Sequence, residues 1–254
     1  MNREILKFYV KELLFKWNDI RSSSLTCKRD LEHHLRLNGY YVIDNFISDE
    51  DCENYRKLID RNLDNPFVWS DEFNSDVRIF GIENIEASFH EIFDREGLIN
   101  IYKKYISIKS FYQTIMAAKM MFSPLNLGSG GGWHRDTVNQ RQLKFIVYLS
   151  DVDGDNGCFQ YVKGSHTVRM KLKTGAILKG NYLKQRYSSQ EVDRIAEMLD
   201  LPVVDFHGTK GTLIVVDTSG LHRGKPMRNG VRYAVTSYMS EVPFGPSVSK
   251  LIAR

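Results

Sequence analysis

The sequence predicts a mainly β fold with flanking helices, arranged as a sandwich or barrel in a single domain over residues 1–254. The first observation is that short runs of β-favouring residues recur after residue 106, and glycine-containing turns separate them. The second is that a chain of 254 residues with 42% apolar content can bury one sizeable core. The runs are 114–122, 143–149, 158–162, 212–216 and 233–239.

The N-terminal extension, residues 1–36, is predicted to be helical and to precede a core over residues 37–240. Basic and apolar side chains are mixed in the first 17 residues, which favours a basic amphipathic helix. This helix either packs against the protein's own body or docks on a membrane surface or a partner. Both interpretations remain open at this stage.

The core begins with a strand and a capped helix. Residues 40–43, Tyr-Tyr-Val-Ile, are typical of a strand. Ser48 with Asp51 three residues later predicts a capping box at the start of a helix. Residues 66–100 are mixed and acidic, and their order of elements is not predicted.

A second capping box interrupts the rhythm of strands. Ser188 and Glu191 stand three residues apart before an apolar-periodic stretch, so a helix of about three turns is predicted to end at Pro202.

Composition excludes several classes of protein. The net charge of +4 is too small to indicate a nucleic-acid partner. Cys27, Cys52 and Cys158 show neither zinc-site spacing nor a disulfide framework, which favours a reducing compartment. No apolar stretch reaches 18 residues, and the start is too charged for a secretory signal. A soluble, cytoplasmic protein is expected.

The segment Gly-Gly-Gly-Trp-His134-Arg-Asp136 carries the strongest chemical signal. On an extended chain alternate side chains share a face, so His134 and Asp136 can point into a barrel together. Such a pair alone is a weak motif. His222, just beyond the 212–216 run, adds a third candidate ligand. Two histidines and one carboxylate form the facial triad of Fe(II) oxygenases, which leaves positions open for a chelating co-substrate and dioxygen.

Arg232 opens the apolar run 233–239, ten residues after His222. A buried guanidinium needs an anionic partner to offset its loss of hydration. The partner is either an internal carboxylate or the far carboxylate of a keto-diacid, bound through a bidentate contact.

The ordered series of motifs resembles the phytanoyl-CoA dioxygenase family of 2-oxoglutarate oxygenases. The resemblance covers roughly residues 37–240. It rests on Gly39-Tyr-Tyr-Val-Ile-Asp-Asn-Phe46, Gly-Trp-His134-Arg-Asp136, Tyr148-Leu-Ser-Asp-Val152, Asn156-Gly-Cys-Phe159, Gly164-Ser-His166, His222 and Arg232. It implies a double-stranded β-helix, which is a cupin-like jelly roll of two sheets with helices packed outside.

The resemblance also implies a set of roles. His134, Asp136 and His222 would bind Fe(II), and Arg232 would pair with the distal carboxylate of 2-oxoglutarate. The reaction would consume 2-oxoglutarate and O2 and hydroxylate an unactivated carbon. The family's second polar contact to the co-substrate varies, and Lys144 is the candidate here.

Other candidate residues have structural interpretations beside functional ones. His166 is a rival third ligand, although it follows a Gly-Ser turn and the family uses it structurally. His207 is expected to cap or line a turn. Trp133 either packs beside the metal or serves the core. Arg135 lies between two candidate ligands and should point away from the metal face, towards an acid, the rim or a structural contact.

The substrate is predicted only by class. Basic residues flank the ligand segments and favour an anionic substrate, although ordinary surface charge is the alternative for each. They are Arg141, Lys144, Arg223, Lys225 and Arg228. With the basic start of the chain, they favour an anionic small molecule or a lipid-linked saccharide or acyl group, and peripheral membrane contact through the N-terminal helix.

Two other functions compete with the hydroxylase. One is a catalytically silent jelly-roll module that holds an anionic ligand, and the other is a cupin-like zinc or iron enzyme that uses His166.

Overall fold

The computed structural model describes residues 26–253. The amphipathic helix predicted for the first 17 residues lies outside the described residues. Within residues 26–253, no helix has both the length and the apolar character that a membrane crossing requires.

Two antiparallel sheets form the body of the described chain. The larger has seven strands in the order β1-β8-β5-β10-β4-β3-β2, and the smaller has three in the order β7-β6-β9. The strands are β1 Tyr40–Ile43, β2 Val68–Ser70, β3 Asp76–Phe80, β4 Tyr112–Met121, β5 Leu143–Tyr148, β6 Phe159–Val162, β7 Val203–Phe206, β8 Leu213–Asp217, β9 His222–Gly224 and β10 Val231–Ser240. The predicted jelly roll is confirmed.

Helices flank the sheets. They are α1 Thr26–Asn38, α2 Asp49–Arg61, α3 His90–Phe93, α4 Glu96–Ile106, α5 Val168–Ile177, α6 Ser189–Leu199 and α7 Pro246–Ser249. Both predicted capping boxes are confirmed: Ser48 and Asp51 begin α2, and Ser188 and Glu191 begin α6. Each satisfies backbone N–H groups that a helix start leaves unpaired.

The large sheet buries its two faces against different partners, because successive side chains of a strand point to opposite sides. On one face, odd-numbered residues such as Ile79, Val147 and Val235 pack with helical residues, among them Leu35, Ile59 and Tyr102. On the other, even-numbered residues such as Tyr148, Ile214 and Ala234 meet Phe159, Tyr161 and Phe206 of the small sheet. The space between the sheets therefore belongs to the even-numbered positions.

Candidate metal centre

Three predicted ligands converge at one end of the space between the sheets. The backbones of His134 and His222 form a two-bond antiparallel bridge, with N···O distances of 2.9 and 3.0 Å. The Asp136 N–H donates to Thr218 O at 3.0 Å. Asp136 Oδ1 lies 3.6 Å from His134 Nε2 and 3.9 Å from His222 Nε2. The candidate ligand atoms of the three residues all lie within 4.8 Å of one another.

Backbone carbonyls orient both imidazoles. His134 Nδ1 lies 2.9 Å from Gly132 O, and His222 Nδ1 lies 3.0 Å from Gly220 O. Because a carbonyl only accepts, each Nδ1 carries the proton, and each Nε2 presents a lone pair towards Asp136. Such contacts fix the ring orientation of histidine ligands in metal sites.

Gly130 makes room for the first of these rings. A Cβ at this position would lie 2.4 Å from His134 Cε1, and the residue has a φ of +85°. Only glycine adopts this left-handed conformation readily while leaving the space empty. Part of the glycine run is therefore required by the packing of His134.

The protonation states suit a cation. Burial, and then the neighbouring His134, lowers the pKa of His222 to about 3, and burial lowers the pKa of His134. Burial alone would raise the pKa of Asp136, but Lys144 and then the two imidazoles hold it well below its usual range. Near neutral pH the group therefore consists of two neutral imidazoles and one carboxylate, the forms that bind metal ions.

Arg232 lies on the face of the large sheet that is turned towards the small sheet. It stands on β10 opposite Met120 of β4, is 6% exposed, and its Nε is buried without an acceptor. Burial lowers the pKa of its guanidinium. No salt bridge links it to a carboxylate anywhere in residues 26–253. The sequence left two possible partners for Arg232, an internal carboxylate or a bound keto-diacid. Since no internal salt bridge is found in the described residues and a buried cation requires an anion, the bound keto-diacid is favoured.

Lys144 is in contact with a candidate ligand. Its Nζ lies 2.6 Å from Asp136 Oδ2, and 4.2 Å from the centre of the Tyr238 ring. Its role as a co-substrate contact stays a prediction, and the ion pair with Asp136 is a feature that the sequence did not predict.

Structural interpretations hold for several of the other candidates. His166 is buried with its Nε2 3.1 Å from Arg36 O and is not among the clustered ligand atoms. Arg135 donates to two backbone carbonyls, Ser165 O at 2.8 Å and Ser219 O at 2.7 Å, so its contacts are structural. His207 clusters with Cys158 and Asp205, away from the predicted set. Trp133 is buried beneath Arg223.

The basic residues that flank the ligand segments all contact protein groups. Lys144 pairs with Asp136, Lys225 with Asp205, and Arg228 with Asp155. Arg141 donates to Tyr105 O and Arg223 to Gln160 Oε1. These contacts remove much of the reason to infer an anionic substrate from them.

One charged pair near the site was missed. Arg78 on β3 donates to Asp76 Oδ1 at 2.7 Å and to Ser129 Oγ at 3.0 Å, and so ties the large sheet to the glycine-rich segment before His134. The segment Asp76–Phe80 alternates charged or polar with apolar residues over part of its length, a period-two signal that could have identified β3.

A jelly roll that gathers two histidines and one carboxylate between its sheets defines a class, the non-haem iron oxygenases. Comparison with known proteins is consistent with that class. A profile of the phytanoyl-CoA dioxygenase family matches residues 35–233, and the chain belongs to this family. It is therefore an enzyme of the oxygenase class that uses Fe(II), 2-oxoglutarate and O2. No curated protein sequence matches the chain.

Solved structures share the fold at low sequence identity. EctD from S. alaskensis with bound Fe is 15% identical, with a TM-score of 0.65, over 87% of this chain and 78% of that one. HygX from Streptomyces hygroscopicus, solved with nickel, 2-oxoglutarate and hygromycin B, is 16% identical, with a TM-score of 0.59, over 87% and 89%. The epimerase SnoN, in complex with Fe3+, alpha ketoglutarate and nogalamycin RO, is 14% identical, with a TM-score of 0.62, over 84% and 82%.

Proposed function

We propose that His134, Asp136 and His222 hold Fe(II), that Arg232 receives the distal carboxylate of 2-oxoglutarate, and that the enzyme hydroxylates an unactivated carbon of a small molecule. The observation that carries this proposal is the convergence of His134 and Asp136 with His222, 86 residues further along the chain, while Arg232 lies buried on the inner face of the large sheet. Two nitrogen donors and one oxygen donor suit Fe(II) and leave part of its coordination sphere free.

Some residues of the site orient the candidate metal ligands, and Arg232 would bind the co-substrate. The carbonyl contacts of His134 and His222 keep both Nε2 atoms directed inward. Arg232 offers a planar fork that matches a carboxylate bidentately. When bound, iron and 2-oxoglutarate supply the oxidising chemistry that attacks a C–H bond.

The substrate is proposed by analogy and charge. HygX was solved with hygromycin B and SnoN with nogalamycin RO, which supports a small-molecule substrate here. An anionic group is the finer part of the proposal, whether on a free metabolite or on a lipid-linked saccharide or acyl substrate. Its support is Arg186, an exposed guanidinium that contacts Gly130 O next to the His134 ring. Membrane contact through the N-terminal segment stays a prediction.

One protein of similar fold, SnoN, is an epimerase, so the type of reaction, hydroxylation, is part of the proposal and needs its own test. Full-length protein loaded with Fe(II) is incubated aerobically with 2-oxoglutarate, and succinate is measured with and without candidate substrates. We expect uncoupled succinate formation that His222→Ala abolishes and that His90→Ala, a change at a partly exposed histidine outside the ligand cluster, leaves intact. Hydroxylated product, read as a gain of one oxygen atom, distinguishes hydroxylation from epimerisation.

Other results would replace this function. Protein that binds Fe(II) and 2-oxoglutarate but forms no succinate with any substrate would be a silent binding module. Loss of metal in His166→Ala with retention in His222→Ala would indicate the cupin-like alternative.

A further inference from the structure

The two oxygens of the Asp136 carboxylate have different surroundings. Oδ1 faces the imidazoles, at 3.6 Å from His134 Nε2 and 3.9 Å from His222 Nε2. Oδ2 lies 2.6 Å from Lys144 Nζ. One oxygen is therefore directed at the candidate metal position, and the other is engaged by an ammonium group.

Lys144 is held in this position from several sides. It lies on β5 between Val216 of β8 and Tyr238 of β10, and its side chain is 10% exposed. Its ammonium lies over the Tyr238 ring, a favourable contact for a cation removed from water. A buried ammonium must be paired, and Asp136 is the one carboxylate that a salt bridge joins to it within the described residues.

We propose that Lys144 is a positioning residue that reserves Oδ2, so that Asp136 offers the metal a single oxygen. This inference rests on the proposed function. A carboxylate can bind a metal through one oxygen or through both. With one oxygen from Asp136, a six-coordinate metal keeps three free positions, enough for a bidentate co-substrate and dioxygen. With both oxygens, one of those positions is lost.

Mn(II) is the probe, because its electron paramagnetic resonance in ¹⁷O-enriched water reports the number of bound waters. Wild type is compared with Lys144→Met, which keeps an unbranched apolar side chain and removes the charge, and with Lys144→Arg, which retains a cation. Lys119→Met is the matched control: Lys119 also pairs with a carboxylate, Asp60 at 2.7 Å, and lies over a tyrosine ring, but it belongs to the opposite face of the sheet.

We expect wild type, Lys119→Met and Lys144→Arg to show three metal-bound waters. Lys144→Met should show one fewer, with Mn(II) affinity at least as high as that of wild type and 2-oxoglutarate affinity lowered about tenfold or more. The wild-type count alone can overturn the inference, even if Lys144→Met does not fold. Two waters in the wild type would overturn the inference, because both oxygens would then bind despite the lysine.

A second result would overturn it in favour of the sequence-based interpretation. If Lys144→Met keeps the wild-type number of waters and the wild-type Mn(II) affinity while 2-oxoglutarate binds more weakly, Lys144 contacts the co-substrate directly. Failure of the proposed function looks different, because wild type itself would then bind no Mn(II), or His222→Ala would bind it as well as wild type.

Discussion

Arg232→Met should change co-substrate affinity and apoprotein stability in opposite directions. The guanidinium is 6% exposed, and its Nε has no acceptor. Removing one partner of a buried ion pair costs about 3–5 kcal/mol. At about 1.4 kcal/mol per factor of ten, the Kd for 2-oxoglutarate should rise about a hundredfold or more. Methionine fills the space of the aliphatic stem without a charge.

Without ligand, the same substitution should stabilise the protein. An unsatisfied buried polar group costs roughly 1–3 kcal/mol, so the free energy of unfolding of the metal-free variant should rise by about that amount. Urea unfolding of the apoprotein measures the stability, and calorimetric titration of anaerobic, Mn(II)-loaded protein measures the affinity for 2-oxoglutarate.

Arg228→Met is the matched control. Arg228 is mostly exposed and lies 3.5 Å from Asp155, so its replacement should change either quantity little. The reasoning is refuted if Arg232→Met leaves the Kd for 2-oxoglutarate unchanged and destabilises the apoprotein, because Arg232 would then serve the fold alone.

Three further outcomes are expected. Gly130→Ala should weaken Mn(II) binding more than Gly132→Ala. Both glycines have a positive φ, but only a Cβ at position 130 would meet the His134 ring. Equal effects in the two variants would contradict this reasoning. Burial lowers the pKa of His166 to about 4, below the ordinary value of about 6.5, so the free energy of unfolding should fall as the pH drops from about 6.5 to 4. In urea unfolding, His166→Asn should show a smaller decline over this pH range. A parallel decline in wild type and variant would count against this explanation. Ser188→Ala should lower the free energy of unfolding by about 1 kcal/mol without changing Mn(II) affinity, and a loss below 0.3 kcal/mol would show that the capping box is weak.

The sequence predicts those parts of the fold whose signal is local. The long strands β4, β5 and β10 appear within one or two residues of their observed ends, and both capping boxes begin helices as predicted. The short strands β2 and β9, with three residues each, were missed because so few positions cannot establish an alternating pattern.

The site divides in the same way. His134 and Asp136 are neighbours in sequence, and the ordered motifs pointed to His222, so the convergence of these residues was predicted. The contact between Lys144 and Asp136 depends on how β5 lies against the segment that carries Asp136, which no local pattern encodes. The partners of the flanking basic residues are likewise tertiary, and for that reason the anionic-substrate argument from sequence was stronger than the structure supports.

The strict alternation of β10 between two environments limits how this protein can change. Arg232 faces the space between the sheets and Val235 faces the helices, so loss of one residue upstream of Arg232, with pairing otherwise kept, would exchange the two sets of side chains. The guanidinium would then enter the apolar layer between the large sheet and the helices, and Tyr233 would take its place on the inner face. Length variation among relatives should therefore concentrate in the loops between strands, where an added residue alters access to the pocket and leaves its chemistry intact.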